Sequence, residues 1–156
     1  MRVLFINSTN FLEAALPEGI AILSAILKGK GHEVRLFDTA FLKPKGYHKK
    51  KKGNEKSPHG PAFYKATPYD LNDLVMSDPE VDIDGKLSEA IADFNPSLIA
   101  FSAMTTNYTR ALALADNIGT KAKVIFGGVH PTLMPDDVII QKRINYVCIG
   151  DRKSVV

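Results

Sequence analysis

The sequence contains a single cysteine, Cys148, among its 156 residues. One cysteine excludes an internal disulfide, and it excludes a cysteine-rich metal cluster within these residues. No apolar run reaches the roughly 18 residues that a membrane-spanning helix requires. The N-terminal residues 1–6 lead directly into an apolar segment, without the small-residue cleavage site of a signal peptide. We therefore expect a cytoplasmic protein with no membrane contact.

Positive charge is concentrated in one short part of the sequence. Seven lysines and a single acid, Glu55, lie between Lys43 and Lys56, which gives that segment a charge of +6. Because the whole chain carries a formal charge of +3, the remainder carries about −3 by difference. A body of net negative charge is atypical of nucleic-acid-binding proteins, so we expect no nucleic-acid partner.

The fingerprints of several common phosphate-binding and catalytic sites are missing. Residues 7–19 contain neither the G-x-G-x-x-G pattern nor a Walker A lysine. A response-regulator phosphorylation site is disfavoured, because Asn7 and Ser102 stand where such a site needs carboxylates. No Ser-His-Asp arrangement or carboxylate pair follows from the spacing of the residues, and the sequence predicts no catalytic residue in this chain.

Short apolar segments alternate with segments of helical periodicity. Strands are predicted at 3–6, 33–37, 98–102, 123–126 and 146–149, and helices at 17–30, 87–94, 107–118 and 135–141. Such alternation produces a parallel sheet through right-handed crossovers. We therefore predict an α/β fold with a five-stranded Rossmann-like (flavodoxin-like) parallel sheet in the order 2-1-3-4-5. Its last covering helix is missing, because only seven residues follow Ile149.

A long segment interrupts this alternation after the second predicted strand. Residues 39–82 hold the lysine cluster and five of the nine prolines, with a predicted helical turn or two at 69–76. Loops of this length in compact domains are usually functional or disordered. We predict one domain over 1–150 with a solvated insertion at about 39–82, and the start of a truncated linker or tail at 151–156.

Polar residues and glycines follow the predicted strands at the edge where open parallel sheets bind ligands. Residues 102–107 bring hydroxyl and amide groups together at a helix N-terminus, and an N-cap at Thr105 or Thr106 explains only part of them. The glycines at 127 and 128 permit either close approach of a large flat ligand or a tight turn with positive φ. The Ser-Thr-Asn run at 8–10 suits a phosphate or simple loop capping.

Four segments in order resemble the signatures of cobalamin-binding domains in cobalamin-dependent radical S-adenosylmethionine enzymes. They read P-E-G-I-A-I-L-S-A-I-L at 17–27 with G-H-E-V-R-L-F-D at 31–38, F-S-A-M-T-T-N-Y at 101–108, V-I-F-G-G-V-H-P-T-L-M-P at 124–135, and Y-V-C-I-G at 146–150. The resemblance covers about 1–38 and 83–150. It departs from the family after Gly150, where a Gly-Glu-Gly-Glu run is usual and this chain reads D-R-K-S-V-V.

The resemblance implies a cobalamin-binding N-terminal domain of a radical S-adenosylmethionine methyltransferase or cyclase-type enzyme. The C-x-x-x-C-x-x-C motif of the radical domain is absent here. A 4Fe-4S cluster and S-adenosylmethionine would therefore belong to a C-terminal radical domain, which is the implied partner. Many cobalamin domains place a histidine below the cobalt through D-x-H-x-x-G after the first strand, yet residues 7–19 contain no histidine. The resemblance thus implies base-off cobalamin with no metal ligand from this chain.

Carried over position by position, the resemblance also implies the cofactor-binding residues. The nucleotide-tail pocket would be lined by Ser102, Thr105, Thr106 and Asn107. The tail would pass Gly127, Gly128 and Val129, and Gly150 would close the pocket. From its position on the ligand edge alone, His130 is expected to have a capping or ligand-rim role rather than to bind a metal. The lower face of the corrin would lie near Pro17, Glu18 and Gly19.

Two other functions stay open at this point. One is a flavodoxin-like module that binds FMN or a phosphorylated small molecule. The other is a non-catalytic carrier or sensor that binds cobalamin alone.

Overall fold

A computed structural model of the chain describes residues 1–11, 17–46 and 79–150. The predicted helical turn at 69–76 and the predicted tail at 151–156 lie outside the described residues. The described elements are β1 (Arg2–Asn7), α1 (Glu18–Gly29), β2 (Glu33–Asp38), α2 (Ile83–Phe94), β3 (Leu98–Ser102), α3 (Tyr108–Asp116), β4 (Lys123–Gly127), α4 (Val129–Leu133), α5 (Pro135–Ile139) and β5 (Tyr146–Val147).

The strands form one parallel sheet in the order β2-β1-β3-β4-β5, which confirms the predicted α/β fold and strand order. Val3 pairs with Val34 on one side and with Leu98 on the other, so β1 lies between β2 and β3. The connection from β1 therefore crosses to β2 on one side of the sheet, and the connection from β3 crosses to β4 on the other side. A crevice opens between the carboxyl ends of these two strands, as expected at a switch point.

The alternating side chains of the strands build two cores of different size. On one face, which we call the α2 face, the strand residues pack with α2, α3 and Val138 of α5. On the opposite α1 face, Val3, Phe5 and Ala100 pack against Ile20 of α1. Since only β1 leads into a helix on the α1 face, α1 alone covers the sheet there among the described helices.

An apolar groove of about 260 Å³ lies on the α1 face beside this single helix. Its lining includes Leu27 of α1, the strand residues Leu98, Ala100 and Ile125, and Cys148, which follows β5 directly. In the described ranges, α1 is the helix that contributes to this lining. The groove is therefore the exposed part of that face.

One helix begins well before its predicted start, and another helix was not predicted. α2 begins at Ile83, four residues before the predicted start, because the carboxylate of Asp82 accepts a hydrogen bond from Gly85 N at 3.1 Å and caps the helix. It ends at Asn95, which adopts a left-handed conformation with φ 45°. The short α4 was not predicted, because its residues were assigned to a loop.

The two ends of the predicted insertion are joined to each other by a short neck. Val81 pairs with Pro44, and Val81 N donates to Lys43 O at 2.8 Å. Gly46 N donates to the carboxylate of Glu80 at 2.9 Å. Residues 43–46 and 79–82 thus leave and re-enter the domain side by side.

No helix in the described part of the chain is long and apolar enough to cross a membrane.

Candidate functional site

A cleft of about 240 Å³ opens at the carboxyl ends of β1, β3 and β4. It is lined by Asn7, Thr9, Pro17, Glu18, Gly19, Ser102, Ala103, Met104, Asn107, Gly128 and Val129. The fold therefore brings together seven of the twelve predicted site residues, which come from three separate segments of the sequence. The other five, Thr105, Thr106, Gly127, His130 and Gly150, lie outside this lining.

The start of α1 forms one wall of the cleft. Pro17 O accepts hydrogen bonds from Ile20 N at 2.9 Å and Ala21 N at 3.0 Å, so Pro17 is the residue from which the helix starts. Glu18 follows in the first turn with an exposed side chain, where its negative charge is favourable beside the helix N-terminus.

The loop between β3 and α3 is closed by Asn107 rather than by a threonine. Asn107 Oδ1 accepts from Met104 N at 2.8 Å, and Asn107 N donates back to Met104 O at 3.2 Å. Asn107 is buried and stands at the N-cap position, whereas the side chains of Thr105 and Thr106 are exposed. The predicted N-cap at Thr105 or Thr106 is therefore wrong, because the amide of Asn107 closes the loop instead.

The two glycines that follow β4 have different surroundings. Gly128 has φ 110°, and a β-carbon there would lie 2.6 Å from Ala103 O, so the backbone itself requires glycine. Gly127 has ordinary φ, and its β-carbon would lie 3.4 Å from the β-carbon of Cys148, which is van der Waals contact. Gly127 lines the apolar groove, and Gly128 lines both the groove and the cleft.

His130 packs behind the β3–α3 loop instead of lining the cleft. Its ring stacks on Tyr108 with centroids 3.9 Å apart, and its Nδ1 lies 3.3 Å from Thr105 Oγ1. Its Nε2 is buried without a hydrogen-bond partner in the described structure. Through these contacts His130 packs against the β3–α3 loop on the side that faces the protein interior.

Thr132 links the end of β4 to the end of the described chain. Its hydroxyl donates to Gly128 O at 2.7 Å and accepts from Gly150 N at 3.2 Å. Gly150 is thereby held near the cleft through Thr132, without contributing to the lining itself. Val129, which follows Gly128, is exposed at the cleft.

Asn7 and Thr9 also line the cleft. The sequence did not predict Asn7 as a site residue, and it left Thr9 between a phosphate contact and loop capping. Both are buried, and Asn7 Nδ2 donates to Asp38 Oδ1 at 3.1 Å. The signal was present in the run of polar residues directly after a buried strand. It was not decisive, since loop capping explains such residues equally well.

No group of three or more histidine, cysteine, aspartate or glutamate side chains in the described ranges is placed to hold a metal ion. The polar groups of the cleft lining are instead two hydroxyls, two side-chain amides, backbone groups and the carboxylate of Glu18. This set suits an organic ligand that is held by hydrogen bonds.

The model of the B12 binding domain family matches residues 65–156, which is more than half of the chain. The chain belongs to the B12-binding domain family. A comparison with curated proteins found no match.

Two solved structures share the fold of this B12-binding domain. Both are of the radical S-adenosylmethionine methyltransferase TsrM from Kitasatospora setae, one with tryptophan substrate and the S-adenosylmethionine analogue aza-SAM, the other with cobalamin and a [4Fe-4S] cluster. Each is 18% identical with a TM-score of 0.56, and the match covers 86% of this chain. This chain spans only 20% and 21% of the length of those two chains.

Proposed function

We propose that this B12-binding domain holds cobalamin base-off at the cleft, with the nucleotide tail in the adjoining apolar groove. The observation that carries this proposal is that Ser102 and Gly128 line both spaces. A polar opening at the sheet edge therefore continues into an apolar slot between α1 and the strands. Cobalamin has matching parts, since its corrin carries amide groups and its tail ends in a flat aromatic base.

Small residues give the groove room for such a base beside the strands. Ala100, Gly127 and Cys148 line it together with Ser102, and the absence of a side chain on Gly127 leaves the slot open. In this proposal, Ser102, Gly127 and Gly128 contact the tail, while Pro17 to Gly19 face the corrin. Asn107 and His130 act indirectly, because their contacts shape the β3–α3 loop.

The absence of a histidine beneath the cobalt is supported by the same geometry. Residues 7–19 contain no histidine. His130 is stacked on Tyr108 and buried behind the loop, so it does not reach the cleft. The bound cofactor would then be base-off with no ligand from the residues that the structure describes.

We further propose that the domain is the cytoplasmic N-terminal part of a radical S-adenosylmethionine methyltransferase or cyclase-type enzyme. Support comes from the family membership and from the shared fold with TsrM, of which this chain spans about a fifth. A C-terminal radical domain would bind the 4Fe-4S cluster and S-adenosylmethionine. The cobalt of bound cobalamin would supply a carrier for a methyl group or assist a ring-forming step.

The decisive experiment is a parallel titration of the purified chain with hydroxocobalamin and with FMN. We expect one cobalamin per chain, detected by a change in its visible spectrum, and no quenching of flavin fluorescence. FMN binding is disfavoured because the charged residue in the described lining of the cleft is Glu18, whose carboxylate would repel the FMN phosphate. Saturable flavin binding without cobalamin binding would replace this proposal with the flavodoxin-like alternative.

A further inference from the structure

Two consecutive hydroxyl groups are buried without partners directly after β1. Ser8 is fully buried and Thr9 is 4% exposed. Neither Ser8 Oγ nor Thr9 Oγ1 has a hydrogen-bond partner in the described structure. Buried hydroxyls in folded proteins are almost always hydrogen-bonded, so two unpaired ones in succession need an explanation.

The backbone around these hydroxyls is firmly held, so loose chain geometry is not the cause. Thr39 N donates to Asn7 O at 3.0 Å. The hydroxyl of Thr39 donates to Thr9 O at 2.6 Å and lies 3.2 Å from Asn7 O. Thr39 thus fixes the backbone on both sides of Ser8.

The two hydroxyls differ in what they adjoin. Thr9 lines the cleft together with Pro17 and Ser102, whereas Ser8 is absent from the lining. A ligand in the cleft therefore lies beside the Thr9 side chain but not beside Ser8. Because Thr9 Oγ1 is itself closed to solvent, its hydroxyl would meet the ligand after rotation about the Cα–Cβ bond. The pair provides one candidate ligand contact and one matched control.

The charge of the lining indicates which ligand group the hydroxyl meets. Glu18 contributes a negative charge, and the described lining holds no lysine or arginine. An anionic phosphate would lack a counter-charge there, whereas a neutral carboxamide both donates to and accepts from a hydroxyl.

We infer that Thr9 is a further cofactor-binding residue, whose hydroxyl hydrogen-bonds a carboxamide on the edge of the corrin. This inference rests on the proposed cobalamin function. It assigns Thr9 to the ring and separates it from the tail-contacting residues of the groove.

The test compares three proteins with two ligands. The unsubstituted chain, Thr9→Val and Ser8→Ala are titrated with cobalamin and with cobinamide, which keeps the corrin and its amides but lacks the nucleotide tail. Thr9→Val preserves the shape of the side chain and removes only the hydroxyl. Losing one hydrogen bond should weaken the binding of both ligands about fivefold to tenfold in Thr9→Val, and Ser8→Ala should leave both affinities within about twofold.

Thermal unfolding of the ligand-free proteins distinguishes binding from structure. Replacing an unpaired buried hydroxyl by a methyl group should keep or raise the melting temperature of Thr9→Val while its affinity falls. An affinity loss accompanied by a lower melting temperature, or shared by Ser8→Ala, would make the residue structural and overturn the inference.

The remaining outcomes separate this inference from the proposed function. Equal affinities of Thr9→Val and the unsubstituted chain would overturn the inference alone. Weakening confined to cobalamin would assign Thr9 to the tail and also overturn it. Absence of cobalamin binding by the unsubstituted chain would overturn the proposed function and the inference together.

Discussion

A β-carbon on Gly128 would lie 2.6 Å from the carbonyl oxygen of Ala103. Ala103 also donates from its N to Gly127 O at 2.8 Å, and its carbonyl accepts from His130 N at 3.1 Å. The end of β4 is therefore locked against the residue that follows β3. These contacts join two walls of the cleft, the β3–α3 loop and the end of β4.

Gly128→Ala should therefore destabilise the domain by about 3 kcal/mol or more, since it combines strain at positive φ with a backbone clash. Gly127→Ala is the matched control, because its β-carbon meets only van der Waals contact with Cys148. We expect Gly127→Ala to lower the free energy of unfolding by less than about 1 kcal/mol. Urea unfolding followed by circular dichroism measures both. Similar midpoints for the two variants would mean that the turn at Gly128 relaxes easily.

Cys148 provides a unique reporter of the proposed tail site, because it is the only cysteine of the chain and it lines the apolar groove. We expect cobalamin to slow its alkylation by N-ethylmaleimide several-fold, through occupation of the groove beside the thiol. Cobinamide, which has no tail, should protect it little. Mass spectrometry of timed samples gives the rates. Equal protection by both ligands would place the tail elsewhere.

Cobalt ligation can be tested by electron paramagnetic resonance of the bound cobalt(II) form. Because His130 is engaged with Tyr108 and Thr105, we expect no nitrogen superhyperfine splitting. Splitting that disappears in His130→Ala would contradict this placement of the ring. Splitting that survives would implicate the base of the cofactor, or His48 or His59, which lie outside the described residues.

Tyr108 should make the stability of the domain fall at alkaline pH. Burial raises the pKa of Tyr108 above its usual value of 10.0, and the negative charge of Asp137 raises it further. A phenol whose pKa is raised by folding stabilises the folded state below pH 10, and this contribution is lost as the pH rises through the folded pKa. Urea midpoints between about pH 9 and pH 11 should therefore fall less steeply in Tyr108→Phe. Tyr146→Phe, at an exposed tyrosine, should retain the slope of the unsubstituted chain.

The sheet could be predicted from the sequence because its signals are local. Val3 to Ile6 form a continuous apolar run, which is typical of a strand buried on both faces. Several such runs, separated by segments of helical periodicity, predict a parallel sheet from nearby residues alone. The alternation also predicted the edge at which the cleft opens. Local pattern was sufficient to predict the strands and helices, and the strand order followed from the flavodoxin-like arrangement that five such strands suit.

The roles of individual site residues depended on contacts between distant parts of the chain. The reason for glycine at 128 is Ala103, which the sequence places 25 residues earlier. His130 is oriented by Tyr108 and Thr105, and Thr9 is fixed by Thr39. Each of these contacts appears only after folding, so the sequence left two interpretations of the glycines and did not select Thr9.

The neck between residues 43–46 and 79–82 has a consequence for chain entropy. Pairing of Val3 with Leu98 closes a loop that includes the whole insertion. Loop-closure entropy grows only with the logarithm of loop length, so removing residues 47–78 would change it by about 0.4 kcal/mol. Because the hydrogen bonds between Lys43 and Val81 and between Gly46 and Glu80 join the two ends, the strands keep their register whatever lies between them. Insertions and deletions in this segment can therefore accumulate during evolution with little effect on the sheet.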